Sequence, residues 1–94
     1  MLNFNDYNLR VVYAQYDNGR TAITLIDEED GMPFTTASVN MPNDDCPKGH
    51  VYIKDYSENE GMVKYLQGKG VITEVVSYVN SGFVTVPLCK LKEE

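Results

Sequence analysis

The groups in this sequence best placed to do chemistry are carboxylates. Between Asp27 and Glu60 lie nine of them (Asp27, Glu28, Glu29, Asp30, Asp44, Asp45, Asp55, Glu58 and Glu60) against two bases, Lys48 and Lys54. That segment sums to −7 and the rest of the chain to +1, so the excess charge is local. Clustered carboxylates can share a proton in acid–base work, ligate a hard cation, or present a negative surface to a basic partner. The cation option fails on spacing. A calcium loop wants acids at positions 1, 3 and 5 with glycine at 6, and counting back from Gly31 puts Ile26 at position 1.

Cys46, His50 and Cys89 are the other metal-ligating types. Cys46-x-x-x-His50 is not a zinc-finger spacing, and the chain has no further Cys or His to complete a set of four, so these read as two thiols and a loop histidine. No metal and no cofactor is expected. A nucleophilic triad would have to use His50, the only histidine, which ends a Pro-rich loop with no sign of an oxyanion hole. No glycine-rich phosphate loop is present. Asp55, Glu58 and Glu60 could pair as acid and base, but they surround a predicted helix start. The chain reads as a non-enzyme with no catalytic residue.

Seven tyrosines and three phenylalanines are many for 94 residues, and tyrosine is enriched where proteins meet. Most are expected as half-buried sheet residues with the hydroxyl in solvent. Tyr56, set among acids, is the first choice for an exposed anchor.

The elements that must hold these groups follow from pattern and punctuation. Residues 8 to 17 are rich in β-branched and aromatic types, Asn18-Gly19 signals a two-residue type I′ hairpin, and Arg20 to Asp27 reads as the returning strand. Ile23 and Leu25 alternate with Ala22, Thr24 and Ile26, and periodicity leaves open which set is buried. Residues 28–33 form a turn, Phe34 to Met41 is extended, and 42–49 holds two prolines and a glycine that exclude regular structure. Val51 to Ile53 is a short strand. Ser57 and Glu60 have the spacing of a capping box, which predicts a helix from about Glu58 to Gln67 with Met62, Tyr65 and Leu66 as its buried stripe. Gly61 is a mild penalty inside it, and Gly68 or Gly70 is available as a left-handed cap. Val71 to Val79 and Phe83 to Leu91 read as strands joined by Asn80-Ser81-Gly82, with Pro87 putting the last at a sheet edge or giving it a bulge. Lys92-Glu93-Glu94 reads as a solvated tail.

The order β-β-β-β-α-β-β predicts one α+β domain over residues 1–94, a single twisted, mainly antiparallel sheet with a short helix packed on it. The nine acids all fall in turns, loops or the helix start, and could gather at one end of that sheet. With Ser57 and Glu60 assigned to the cap, Asp55, Tyr56 and Glu58 are left without an obligatory structural role. A net charge of −6 argues against direct nucleic-acid binding, which wants a basic face. Met1-Leu2-Asn3-Phe4-Asn5-Asp6 has no leader pattern and no apolar run is long enough to span a bilayer, so no membrane is expected and the cytoplasm is the expected compartment, with reduced thiols.

The run Lys54 to Met62 resembles a family of short, acidic, cytoplasmic domain-of-unknown-function proteins from phages and conjugative elements of gut bacteria. Further matching pieces are Leu25-x-Asp27-Glu28-Glu29-Asp30-Gly31-x-Pro33-Phe34, Val39-Asn40-Met41-Pro42, and Ser81-Gly82-Phe83-Val84-x-Val86-Pro87-x-Cys89-x-Leu91. Together they cover most of the chain from Gly19 onward. The resemblance implies no catalytic or binding residues. It implies a setting, that of a mobile-element accessory protein among anti-defence genes.

Two readings emerge. In the first, the protein is a non-enzymatic binder, monomer or homodimer, that occupies a basic surface of a host protein, as an anti-defence inhibitor or nucleic-acid mimic, through Asp27, Glu28, Glu29, Asp30, Asp55, Tyr56 and Glu58. In the second it is a self-associating module that pairs an exposed edge strand, its acids serving solubility.

Overall fold

A computed structural model describes Phe4 and residues 7–92. Except for Phe4, the N-terminal stretch read as leaderless lies outside them, as do Glu93 and Glu94 of the predicted tail. The described residues fold as α+β with antiparallel pairing and one short α-helix. Among the described residues no helix is long and apolar enough to cross a membrane.

Among the described residues there are two three-stranded sheets where one sheet was expected. Strands β1 (Leu9–Gln15), β2 (Thr21–Asp27) and β3 (Pro33–Thr36) form the first in that order. Strands β4 (His50–Tyr52), β5 (Ile72–Ser81) and β6 (Val84–Leu91) form the second in the order β4-β6-β5. The division has a local cause at Ser38. Its Oγ accepts the Ile23 N–H at 2.8 Å, taking the place of a main-chain ladder bond. The Ala37 and Ser38 amides both turn to the Ile23 carbonyl. The chain beyond β3 then leaves β2 and pairs with the other sheet through a lone Ser38–Ile53 bridge, flanked by Val39 N–H to Tyr52 C=O and Lys54 N–H to Ala37 C=O. One extended segment thus serves both sheets in turn.

The main core lies between the sheets and the helix α1 (Met62–Gly68). Ile23 and Leu25 supply the β2 face, which settles the ambiguity of that strand, and Val51, Ile53, Ile72 and Cys89 the second sheet. Met62, Tyr65 and Leu66 are the helix stripe, as their spacing predicts. Phe4 closes the cluster with its ring 5.4 Å from Tyr65 and 6.4 Å from Phe34. A smaller core of Tyr52, Val86 and Leu88, joined by Val39, Met41, Val79 and Tyr56, covers the opposite face of the second sheet. With apolar packing on both faces, β6 is buried without interruption from Val86 to Cys89.

That burial corrects the placement of β6. It is the central strand of its sheet, and Pro87 is tolerated because of where its missing N–H would point. The Pro87 carbonyl accepts the Ile53 N–H, so both its main-chain groups face away from β5, just past the last β4 pair, Tyr52–Leu88. Both hairpins also differ from expectation. The first closes through Asp17-Asn18-Gly19, with Gly19 N–H to Tyr16 C=O and Tyr16 N–H to Arg20 C=O. Only Gly19 has positive φ (83°), so this is a three-residue loop with a glycine bulge and not a type I′ turn. The second turns at Gly82-Phe83, since Ser81 pairs directly with Val84.

Asn59 ties the helix entry to β3. It is fully buried, accepts the Thr35 hydroxyl at 2.8 Å and donates to the Thr36 carbonyl at 2.8 Å. Asn59→Ala removes both bonds and leaves a hole at a fully buried position, so it should destabilise the fold by about 1–3 kcal/mol in denaturant unfolding.

Candidate functional site

The candidate residues occupy two places, the β2–β3 turn and the entry to α1. At the helix entry the predicted capping box does not form. Ser57 begins a 3-10 turn (Ser57–Asn59) with φ of 54°, and Gly61 at φ of 94° breaks the chain before Met62. The N-cap of α1 is therefore Gly61, which has no side chain to cap with. Asp55 does the work from six residues upstream. Its Oδ1 accepts the Gly61 N–H at 2.7 Å and its Oδ2 the Val63 N–H at 2.9 Å. Two orphan donors of the helix start are satisfied by one carboxylate at the positive end of its dipole.

The two neighbours are committed as well. Tyr56 is half-buried against the smaller core, with Lys54 Nζ 5.7 Å from its ring centroid. Glu58 is exposed and pairs with Lys54, Oε1 to Nζ at 2.5 Å. The hydrogen bond from Lys54 pulls the Glu58 carboxyl below its ordinary value and raises that of the lysine. Asp55, Tyr56 and Glu58 thus each have the structural partner that their sequence context did not show.

The β2–β3 turn is built differently. Asp27 Oδ1 accepts the Glu29 N–H and Asp30 Oδ1 the Met32 N–H, each at 2.9 Å. Main-chain bonds from Asp27 N–H to Met32 C=O and from Gly31 N–H to Asp27 C=O close it, with Gly31 at φ of 72°. The aspartates fold the turn and the glutamates project from it. Glu28, Glu29 and Asp30 are exposed, beside an exposed Met32. The one ion pair among the described residues is Lys54–Glu58, so no cation neutralises this turn there.

The acids do not gather at one end. Arg20 donates to the Met41 and Asp44 carbonyls, each at 2.6 Å, and the Tyr52 hydroxyl to the Asp45 carbonyl. These bonds place Asp44 and Asp45 beside the start of β2, whereas Asp27 ends it. Seven residues of strand separate the two by about 20 Å. The helix-entry acids lie elsewhere again, behind Asn59 and Thr35.

Cys46, His50 and Cys89 do not assemble a site. Among the described residues no three His, Cys, Asp or Glu side chains come together as metal ligands, and both thiols are free. The Cys46 thiol donates to the His50 carbonyl at 3.4 Å. Burial pushes the Cys46 thiol up, and the Cys89 thiol further, to about 12. A groove of about 710 Å³ opens between Tyr13, Gln15 and Thr21 on one side and Val71, Leu91 and Lys92 on the other. A smaller hollow of about 290 Å³ is lined by Asp55, Lys64, Val75, Tyr78 and Pro87. Its one carboxylate is the helix cap, with both oxygens already bonded.

Comparison with protein-family models, with curated proteins and with solved structures returns no match to this chain. Asn59 and the capping role of Asp55 escaped the sequence reading. The detectable signal was Gly61, whose left-handed preference ends one element and starts another.

Asp55→Ala should cost about 1–2 kcal/mol of stability by removing the cap. Ser57→Gly should be neutral, or stabilising by up to about 1 kcal/mol, because it relieves a left-handed backbone. Chemical denaturation of the two variants distinguishes this arrangement from a Ser57–Glu60 box, which would make Ser57 the cap and leave Asp55 dispensable.

Proposed function

We propose that this protein is a non-enzymatic binder that occupies a basic surface of a partner protein, and that the β2–β3 turn is its contact. The observation that carries this reading is the state of Glu28, Glu29 and Asp30. They are exposed, uncompensated among the described residues, and mounted on a turn that the Asp27 and Asp30 side chains hold rigid. A preformed acidic loop loses little entropy on meeting a cationic groove, and its charge speeds the encounter. Met32 at its edge offers apolar contact to a partner.

The family resemblance supports a setting for such a partner, namely a host defence protein met by an accessory protein of a phage or conjugative element. Asp55, Tyr56 and Glu58 lie apart from this turn, and each is engaged within the fold. The wide separation of the acidic loops favours a local contact with a basic patch over imitation of a long stretch of duplex phosphate.

Affinity capture from a bacterial host lysate at low salt tests the proposal. A nucleic-acid-processing or otherwise basic protein should be retained one-to-one, released at high salt, and reduced about tenfold or more by the combined Glu28→Gln, Glu29→Gln and Asp30→Asn substitutions. Equal retention by the substituted protein would exclude the turn as the contact.

A further inference from the structure

The longest uncharged stretch of this acidic protein forms most of the hairpin of β5 and β6. From Val75 to Cys89 there are 15 consecutive residues without Asp, Glu, Lys, Arg or His, the longest such run in the chain. Three of its side chains are large, apolar and exposed: Val76 at 45%, Tyr78 at 63% and Phe83, at the very tip, at 109%.

The same hairpin carries the outer edge of the second sheet. β5 is the last strand in the order β4-β6-β5, so among the described residues one side of its main chain faces no other strand. Which groups are free follows from the turn. Ser81 and Val84 close a two-residue loop, so Ser81, Val79 and Ser77 bond inward to β6. The N–H and C=O of Tyr78 and Asn80 therefore point outward. Natural sheets usually guard such an edge with a lysine, a proline or an inward charge, and from Ser77 to Ser81 this one has none. The register shift between Val75 and Ser77 limits the open edge to its last five residues.

We propose that this edge pairs with β5 of a second copy, giving a two-fold dimer with a continuous sheet in the order β4-β6-β5:β5-β6-β4. An antiparallel two-fold centred on Val79 sets Tyr78 opposite Asn80 of the other copy and satisfies four outward main-chain groups on each side. Tyr78 lies within the paired segment, and the exposed Val76 and Phe83 flank it at its two ends. Charge selects this face. Two chains of net charge −6 repel wherever their acids meet, and the paired segment from Ser77 to Ser81 carries none. The interface is short, so the dimer is concentration-dependent. It also tightens with added salt, which screens the mutual repulsion. Binding through the acidic turn has the opposite salt dependence, so the two proposals stand or fall separately.

Sedimentation equilibrium across a concentration series, at low and high salt, reads the mass directly. The expected result is a shift from the 10.6 kDa chain toward twice that mass, stronger at high salt. Asn80→Pro deletes an outward N–H without touching the β6 ladder, just as Pro87 does on the neighbouring strand. Tyr78→Glu places a like charge on each copy from an exposed position. Both variants should remain monomeric at concentrations where the native chain is dimeric, with unchanged circular dichroism. If Asn80→Pro fails to fold, Tyr78→Glu decides alone. A native chain that stays monomeric at high concentration and high salt overturns the proposal. So does a dimer that survives Tyr78→Glu, or a hairpin that recruits a different protein while the chain itself stays monomeric.

Discussion

The arrangement of this protein depends on one hydroxyl. Ser38 is almost fully buried, and its Oγ holds both the Ile23 N–H and the Tyr16 hydroxyl at 2.8 Å. By standing in for a main-chain acceptor it lets the chain leave the first sheet without stranding a buried donor, which would cost about 1–3 kcal/mol. The segment then joins the second sheet through Ile53. The two sheets can therefore angle around a shared core while β4 and β6 build a second, smaller core on their far side. A chain of this length gains buried area by using both faces of one sheet.

A second theme is the work that the carboxylates do inside the fold. Asp55 caps α1, Asp27 and Asp30 tie the β2–β3 turn, and Glu58 holds Lys54. Much of what looks like a reactive acidic stretch is short-range backbone satisfaction, where aspartate is useful because its carboxylate reaches nearby amides. Glu28 and Glu29 are among the carboxylates left unengaged, and they stand together on one preformed turn. A second kind of surface, uncharged and aromatic, lies on the β5–β6 hairpin. One is suited to a cationic partner and the other to a neutral edge.

The sequence made the element types largely readable. The strand alternation, the helix stripe of Met62, Tyr65 and Leu66, and the irregular stretch around Pro42 and Pro47 all follow from local physics. What it concealed were non-local choices. Nothing in Ser38 marks it as a junction, because its partners Tyr16 and Ile23 lie 15 or more residues away. Ser57-x-x-Glu60 carries a real capping pattern that lost to a glycine one residue later. Pro87 pointed to an edge strand or a bulge; the strand is central, β4 stops in time to accommodate the proline, and the β5–β6 register shifts close by, between Val75 and Ser77. Tyr78 and Phe83 looked like sheet residues, but burial depends on neighbours that periodicity does not name. The acidic turn was visible, and its isolation from Asp44 and Asp45 required the topology.

The junction can be tested at a single atom by amide hydrogen exchange at Ile23, in the native protein and in Ser38→Ala. In the native protein the Ile23 amide should exchange only through global unfolding, as slowly as the core of β2. In Ser38→Ala it should exchange faster than Leu25, with the Ser38–Ile53 bridge weakened and the β5–β6 hairpin unchanged. An Ile23 amide that exchanges freely in the native chain, or is equally protected without the hydroxyl, would contradict a fold hinged on Ser38.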